Sequence, residues 1–440
     1  MCLRKYIEEN YSAAAVAVCA PTGTAAFNIS GKTVHSTLSI PAPIPRDKLD
    51  PLRGQRLLAL QERLSNVKLL IIDEMSMIGR TMLRCIDLRL REVHPSRSQE
   101  PFGGVNICLF GDFGQLPPVM DQAMYSKETT SAPPLSKDGV KSFKAFKKAV
   151  ILRRVERVQG NDDLQAGFRE LQLRFRNGEV TRDDGNMLQT RLLSQLTPEE
   201  RETFSDAIYL VPTHKLEEDI NNKHLQENPN PKCIIKGVHR PSAAQRTPST
   251  IAMGLEPRLR LAKDAKVMLR QNLWVEAGLT NGSLGILKGF LYNPDPEAPR
   301  PPSPPEAVCV EFPCYTGPPW DTRHPHVVPI PPTESTWMCN GEMYSRKQIP
   351  LMLAHAVTIH KSQGWTRDKI KVDLGSKEFF GGLSFVGISR TKSLQGLMIH
   401  PQDPTTFNLA RLLMVNRSNH QNNRKNIDQH MEKLQSRTQL

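Results

Sequence analysis

The chain has 440 residues, 38% of them hydrophobic, and lysine and arginine outnumber the acids 58 to 45 for a net charge of +13. That is chain enough for two core-forming domains and a small third. The basic excess suits a polyanionic partner, although a solvated charged face explains it equally well.

No apolar run reaches membrane-spanning length, and Glu8 and Glu9 argue against a signal peptide. The eight cysteines are scattered without a Cys-x-x-Cys pair, which points to a reducing compartment. Cys309, Cys314, His324 and His326 fit no familiar zinc spacing.

In chain order, residues 12–19, 67–72 and 105–110 are short apolar runs, each followed by a polar or glycine-containing turn. Helix-compatible stretches at 56–64 and 80–92 lie between them, so the pattern predicts a parallel sheet covered on both faces. Residues 161–193 read as helical, 207–211 as the first strand of a second sheet, and 267–270 and 284–287 as further strands. Residues 293–332 carry 14 of the 35 prolines, which excludes helix and central strand and predicts a turn-rich insertion. Order resumes at Leu351, Phe385 to Ile388 reads as an apolar strand, and the last thirty residues read as a mobile or partly helical basic tail.

Chemistry belongs at the carboxyl ends of the strands of such a sheet. The apolar run Leu69 to Ile72 ends there in Asp73-Glu74. Asp73 has the chemistry to hold a magnesium water shell and Glu74 to orient or deprotonate a water at a γ-phosphate; the bland alternative is that Asp73 caps a helix beginning near Met75. Gly111-Asp112-Phe113-Gly114-Gln115 leaves the next strand, and the Gln115 amide can both donate to and accept from a phosphate or its attacking water. The alternative is an exposed glutamine on a glycine-proline turn. Ala354 to Thr366 groups hydroxyls with His360 and Lys361 in a loop suited to sugar-phosphate contacts, and Arg390 follows an apolar strand from which it could reach a phosphate.

Together these motifs resemble the PIF-one (petite integration frequency) family of superfamily-one DNA helicases, in the family's order from about residue 16 to residue 400. Ala20-Pro21-Thr22-Gly23-Thr24 and Gly31-Lys32-Thr33-Val34-His35-Ser36 are similar to its first DNA-contacting element. Asp73-Glu74-Met75-Ser76-Met77 and residues 111–119 are similar to its magnesium and γ-phosphate elements, and residues 278–285 to a further signature.

The resemblance implies an α/β fold of two RecA-like parallel-sheet domains with a small β-rich insertion in the second. Residues 1–150 would form the first domain, 151–290 and 351–410 the second, 291–350 a barrel-like insertion and 411–440 the basic tail. It implies an ATP-dependent DNA helicase that uses ATP and Mg2+ and translocates on single-stranded DNA, 5′ to 3′, in repair, recombination or telomere maintenance. Single-stranded DNA and DNA junctions would be its partners, with no membrane. It would act as a monomer in the nucleus, the mitochondrion being the alternative.

By position, Arg157 matches a phosphate-sensing arginine and Arg390 an arginine finger, with surface salt bridges as the alternative for both. Glu74, Gln115, Arg157 and Arg390 are thus the expected catalytic set and Asp73 the metal ligand. Thr22, Thr33, His35, Asn281, His360 and Lys361 are the expected DNA contacts, with packing roles as the alternative for the two histidines. Residues 312–318 and 379–390 are most similar to the helicase part of eukaryotic rolling-circle transposons.

The pattern breaks at one point. The family's glycine-rich loop ending in Gly-Lys-[Ser/Thr] precedes the Ala-Pro-Thr-Gly element, and here the residues before that element read only as the helix that would follow the loop. Gly31-Lys32-Thr33 lacks the upstream glycines. Two expectations compete: an incomplete piece of an active helicase, and a degenerate copy that at most binds DNA. The first is favoured because the other motifs keep their reactive residue types.

Overall fold

The computed structural model describes residues 2–127, 130–160, 162–292, 304–339, 341–376, 381–402 and 419–438. The chain divides into two compact units, residues 1–212 with 362–440 and residues 213–361.

In the first unit, β1 (Val16–Ala20), β2 (Lys32–Thr33), β3 (Leu69–Ile72) and β4 (Asn106–Leu109) form a wholly parallel sheet in the order β2-β1-β3-β4. Three of the four residues of β3 are buried, as a strand enclosed on both faces requires. Helices Gly54–Leu64, Arg80–Val93 and Pro134–Lys144 contribute Leu60, Leu64, Leu83, Ile86 and Leu135 to the core that holds Cys19, Leu70 and Ile72. Helix Arg80–Val93 has no side-chain cap at its N-terminus, where Gly79 stands. The Asp121 carboxylate accepts the N–H groups of Thr81 (3.0 Å) and Met82 (3.2 Å) instead. Gly139 lies so close to this helix that a methyl group there would sit 2.1 Å from the Arg80 carbonyl oxygen.

A second group of parallel strands has Ile370–Val372 between Ile208–Val211 and Leu397–Ile399. Helix Asp163–Asn177 begins where the Asp162 side chain accepts the Gln165 N–H and ends at left-handed Gly178. Residues 385–388, expected as a strand, are helical within Leu383–Ile388. Five of that segment's six residues are buried, and a short continuous apolar run reads alike in either state.

Of the two forms expected for the basic tail, Asn419–Thr438 takes the helical one, and residues 411–418 and 439–440 lie outside the described residues. Ile427 and Met431 pack into the core of the first sheet. They are the widely spaced apolar anchors of an otherwise polar segment.

The second unit is rich in β-structure. Five antiparallel strands run in the spatial order Val327–Ile330, Ala307–Glu311, Leu284–Leu291, Lys266–Leu269, Leu351–Leu353. Thr333–Cys339, Glu342–Gln348 and Val238–Arg240 make a second sheet, and Lys232–Lys236 pairs with Arg258–Ala262. The exclusion of a central strand from the proline-rich region is therefore corrected. Ala307–Glu311 is an inner strand free of proline, and Pro329 sits in the edge strand, where a missing N–H costs no ladder bond. The β-rich body also begins near residue 232, well before 291. Residues 293–303 of the expected insertion lie outside the described residues. Among the described residues, no helix is long and apolar enough to cross a membrane.

Candidate active site

The carboxyl ends of β3 and β4 meet through the backbone. The Met75 N–H donates to the Phe110 carbonyl oxygen (2.8 Å), and Gly111, at φ 140°, faces it so closely that a methyl group would lie 2.7 Å from the Met75 nitrogen. Only glycine allows this approach. Glu74 between them is left-handed, at φ 52° and ψ 48°, and leads into a single 3-10 turn, Met75–Met77. Asp73 therefore does not cap that turn. Burial raises its pKa, partly offset by a hydrogen bond from the Glu74 backbone.

Glu74 is the focus of the cluster. Burial, then the neighbouring Asp73 charge, pushes its carboxyl above the usual range; Arg390, a hydrogen bond from Gln363 and Arg157 pull it back in part. Arg157 donates from Nε to Thr366 Oγ1 (2.9 Å) and from Nη1 to the Ser389 carbonyl (2.8 Å). Arg390 is fully buried and donates to the carbonyl of Val386 (2.8 Å) and to Ser389 Oγ (2.7 Å). Burial, with Arg157 beside it, pushes its pKa down to about 9, against the pull of Glu74 and Asp112. Neither arginine is the surface salt bridge that was the alternative. Gln115 is likewise half-buried, on a loop in which Asp112 Oδ1 accepts the Gly114 N–H (2.8 Å) and the Asp112 carbonyl accepts the Gln115 N–H (3.0 Å).

Two polar atoms of this cluster, Glu74 Oε2 and Gln115 Oε1, are buried without a hydrogen-bond partner. Buried acceptors are normally satisfied, and each of these two retains the capacity to accept a hydrogen bond. Gln363 was missed as a member of the cluster. It donates to Ser76 Oγ (3.0 Å) as well as to Glu74. The signal lay in Gln363-Gly364: Gly364 has φ 81°, and a methyl group on it would lie 3.4 Å from Glu74 Oε1.

The expected DNA contacts fall in two places. In the first unit, Thr22 and Thr33 lie at the ends of the adjacent strands β1 and β2, where Ala20 pairs with Thr33. Both cap short helices: Thr22 Oγ1 accepts the Ala25 N–H (3.3 Å) and Thr33 Oγ1 the Ser36 N–H (3.2 Å). His35 follows, half-buried, its pKa lowered by burial.

In the second unit, exposed Asn281 occupies the turn closed by the Thr280 N–H and Ser283 Oγ (3.0 Å). His360 is half-buried, and burial lowers its pKa. Lys361, expected to meet phosphate, has its ammonium 2.7 Å from Glu217 Oε1. Glu217 also accepts the Thr358 N–H (3.0 Å) and bonds His214 Nδ1 (2.9 Å), so the pair braces the loop from inside.

The arginine-rich run 80–97 is likewise engaged within the protein. Arg84 and Arg91 pair with Asp87, Arg89 with Glu92 and Arg97 with Glu100. Among the described residues, no group of three or more His, Cys, Asp or Glu side chains could hold a metal ion.

A family pattern described as PIF1-like helicase matches residues 3–186. The chain is 30% identical over 402 residues to the human ATP-dependent DNA helicase PIF1, covering 88% of this chain and 54% of that protein. It thus spans about half the length of the curated relatives it matches. Among solved structures, Bacteroides Pif1 bound to single-stranded DNA superposes with a TM-score of 0.65 at 26% identity, over 93% of this chain and 86% of that one. The Bacteroides Pif1 complex with ADP-AlF3 and single-stranded DNA gives 0.64 at 27%, over 92% and 86%. With the two carboxylates, Gln115 and the two arginines gathered at the ends of β3 and β4, the chain is similar in sequence and fold to PIF1-like helicases.

Proposed function

We propose that this chain is the motor region of an ATP-dependent DNA helicase, coupling ATP hydrolysis to 5′-to-3′ movement on single-stranded DNA and to unwinding of duplexes and junctions. The observation that carries the reading is the pair of buried, unpartnered acceptors, Glu74 Oε2 and Gln115 Oε1, beside buried Arg390 and half-buried Arg157. A γ-phosphate with its attacking water supplies what each lacks: protons for the acceptors and negative charge for the guanidinium groups.

In this reading Glu74 Oε2 takes the proton of the water, helped by a carboxyl already raised above its usual range. Gln115 Oε1 accepts the water's second hydrogen and fixes its direction. Arg157 and Arg390 neutralise the charge that develops on the phosphate. Asp73 would hold Mg2+ through its water shell, and the ion would supply charge neutralisation at the β- and γ-phosphate oxygens. Thr22, Thr33, His35, Asn281 and His360 would contact the DNA backbone. Lys361 would position its loop. Repair, recombination or telomere maintenance by a monomer in the nucleus or mitochondrion is the setting that the sequence resemblance implies.

A second reading, single-strand binding without turnover, is favoured by one fact: no Gly-x-x-x-x-Gly-Lys-[Ser/Thr] occurs among the 440 residues. Single-strand-stimulated ATP hydrolysis, measured for the chain and for Glu74→Gln, separates the two. Turnover lost in the variant supports the hydrolase, and turnover retained in it overturns the role of Glu74. No turnover in either, with salt-sensitive DNA affinity, selects the second reading.

A further inference from the structure

The loop that carries Gln115 is gripped from outside the active site. Arg176, near the end of helix Asp163–Asn177, donates from Nε to Asp112 Oδ1 (2.8 Å). That same oxygen accepts the Gly114 N–H. The arginine passes so close to the loop that a methyl group on Gly114 would lie 2.5 Å from its Cγ. Its two terminal nitrogens reach both oxygens of Asp428 (3.1 Å each) on the helix Asn419–Thr438, while Nη2 also lies 2.8 Å from Asp112 Oδ1 and Nη1 also donates to Asn177 Oδ1 (3.0 Å).

That helix is fixed independently of the fork. Ile427, Met431 and Leu434 follow one another at i, i+4 and i+7. The first two enter the core of the parallel sheet, and Leu434 is 7% exposed. Lys425 pairs with Glu179 (3.6 Å) and Glu432 with Arg153 (3.8 Å) at its margins.

We propose that Arg176 is a positioning residue for Gln115 and that helix Asn419–Thr438 is the clasp that holds Arg176 in place. A guanidinium engaged through Nε and both terminal nitrogens has little rotational freedom, and a bidentate carboxylate fork fixes its plane. With the plane fixed, the Asp112 carboxylate stays over the Gly114 amide and the following residue keeps its direction. Without Asp428 the guanidinium keeps Asp112 and Asn177 but loses the fork that fixes its plane, and the outer wall of the loop loosens. The inference rests on Gln115 lying at the nucleotide site, yet the grip itself is measurable without nucleotide.

The test is hydrogen–deuterium exchange by mass spectrometry on the full chain, following the peptide that spans residues 111–116. Asp428→Asn is expected to speed its exchange about tenfold, the opening expected from loss of one charge-assisted bond. Asp428→Glu, which restores the charge, is expected to return it to within about threefold of the parent. Arg176→Ala should match or exceed Asp428→Asn; should it fail to fold, the two Asp428 variants carry the test. Unchanged exchange in Asp428→Asn, or equal acceleration in both Asp428 variants, overturns the proposal. A chain that shows this exchange pattern yet never hydrolyses ATP leaves the clasp standing and removes only the hydrolase reading.

Discussion

Replacing Glu217 by glutamine tests whether the loop of His360 and Lys361 is braced from inside. The carboxylate is 6% exposed and takes an N–H from Thr358 and the ammonium of Lys361. Breaking a buried ion pair by removing one partner costs about 3–5 kcal/mol. Two features reduce that here. Glutamine keeps an acceptor for the Thr358 N–H, and the Lys361 side chain, 21% exposed, can turn its ammonium to water.

The partners also gain unequally. Burial alone would raise the Glu217 pKa, but the bonds from His214 and Lys361 outweigh it and hold the carboxyl below its usual range. Lys361 loses more to burial than Glu217 returns to it, so its own pKa is lowered. A net loss of about 2 kcal/mol follows. With a urea dependence of about 2 kcal/mol per molar, the midpoint falls by about 1 M. Tryptophan fluorescence is a suitable probe, because Trp274, Trp320 and Trp337 lie in this unit and only Trp365 lies outside it.

The sign of the pH dependence is fixed as well. A carboxyl held below its ordinary value stabilises fully above that value and loses its contribution as the pH falls through the folded one. The gap between parent and Glu217→Gln must therefore close below pH 4.5, the ordinary value. Adding Lys361→Met to the variant should recover part of the loss, since no lone buried charge remains. A midpoint shift under about 0.2 M, or a gap that widens in acid, would refute the internal brace.

Two further outcomes are expected of the first unit. Gly139→Ala forces a methyl group to 2.1 Å from the Arg80 carbonyl and should cost about 1–3 kcal/mol, read as a lower Tm; an unchanged melt would mean that the two helices can part freely. Cys19 and Cys85 are fully buried, their thiols pushed up by burial to about 12 and about 11. Iodoacetamide at pH 8 should leave both unmodified until the chain is unfolded, and labelling of Cys19 in the native protein would contradict its burial.

The strands of the parallel sheet and the acids at their ends were legible because apolar runs of strand length bounded by polar turns have few other readings. Asp73-Glu74 and Gln115 follow directly from strand ends. What proved hard to read depended on contacts distant in sequence. Leu383–Ile388 is a helix that its composition allows equally as a strand, and Asn419–Thr438 owes its place to apolar residues too widely spaced to stand out. Gln363 and Lys361 sit two residues apart in one motif, but one reaches the acid cluster and the other Glu217. No local pattern distinguishes those destinations. Prolines counted over residues 293–332 hid the proline-free strand Ala307–Glu311 within them.

The left-handed backbone at Glu74 sets folding against chemistry at one position. An L-residue with a long side chain is disfavoured there by about 1–2 kcal/mol, whereas glycine fits freely and asparagine more easily. Drift unopposed by selection for turnover would be rewarded with a sturdier domain by exchanging this glutamate for glycine or asparagine. A lineage that still writes glutamate there is forgoing that reward, so the identity of residue 74 across close relatives is a gauge of whether the motor is under selection to run.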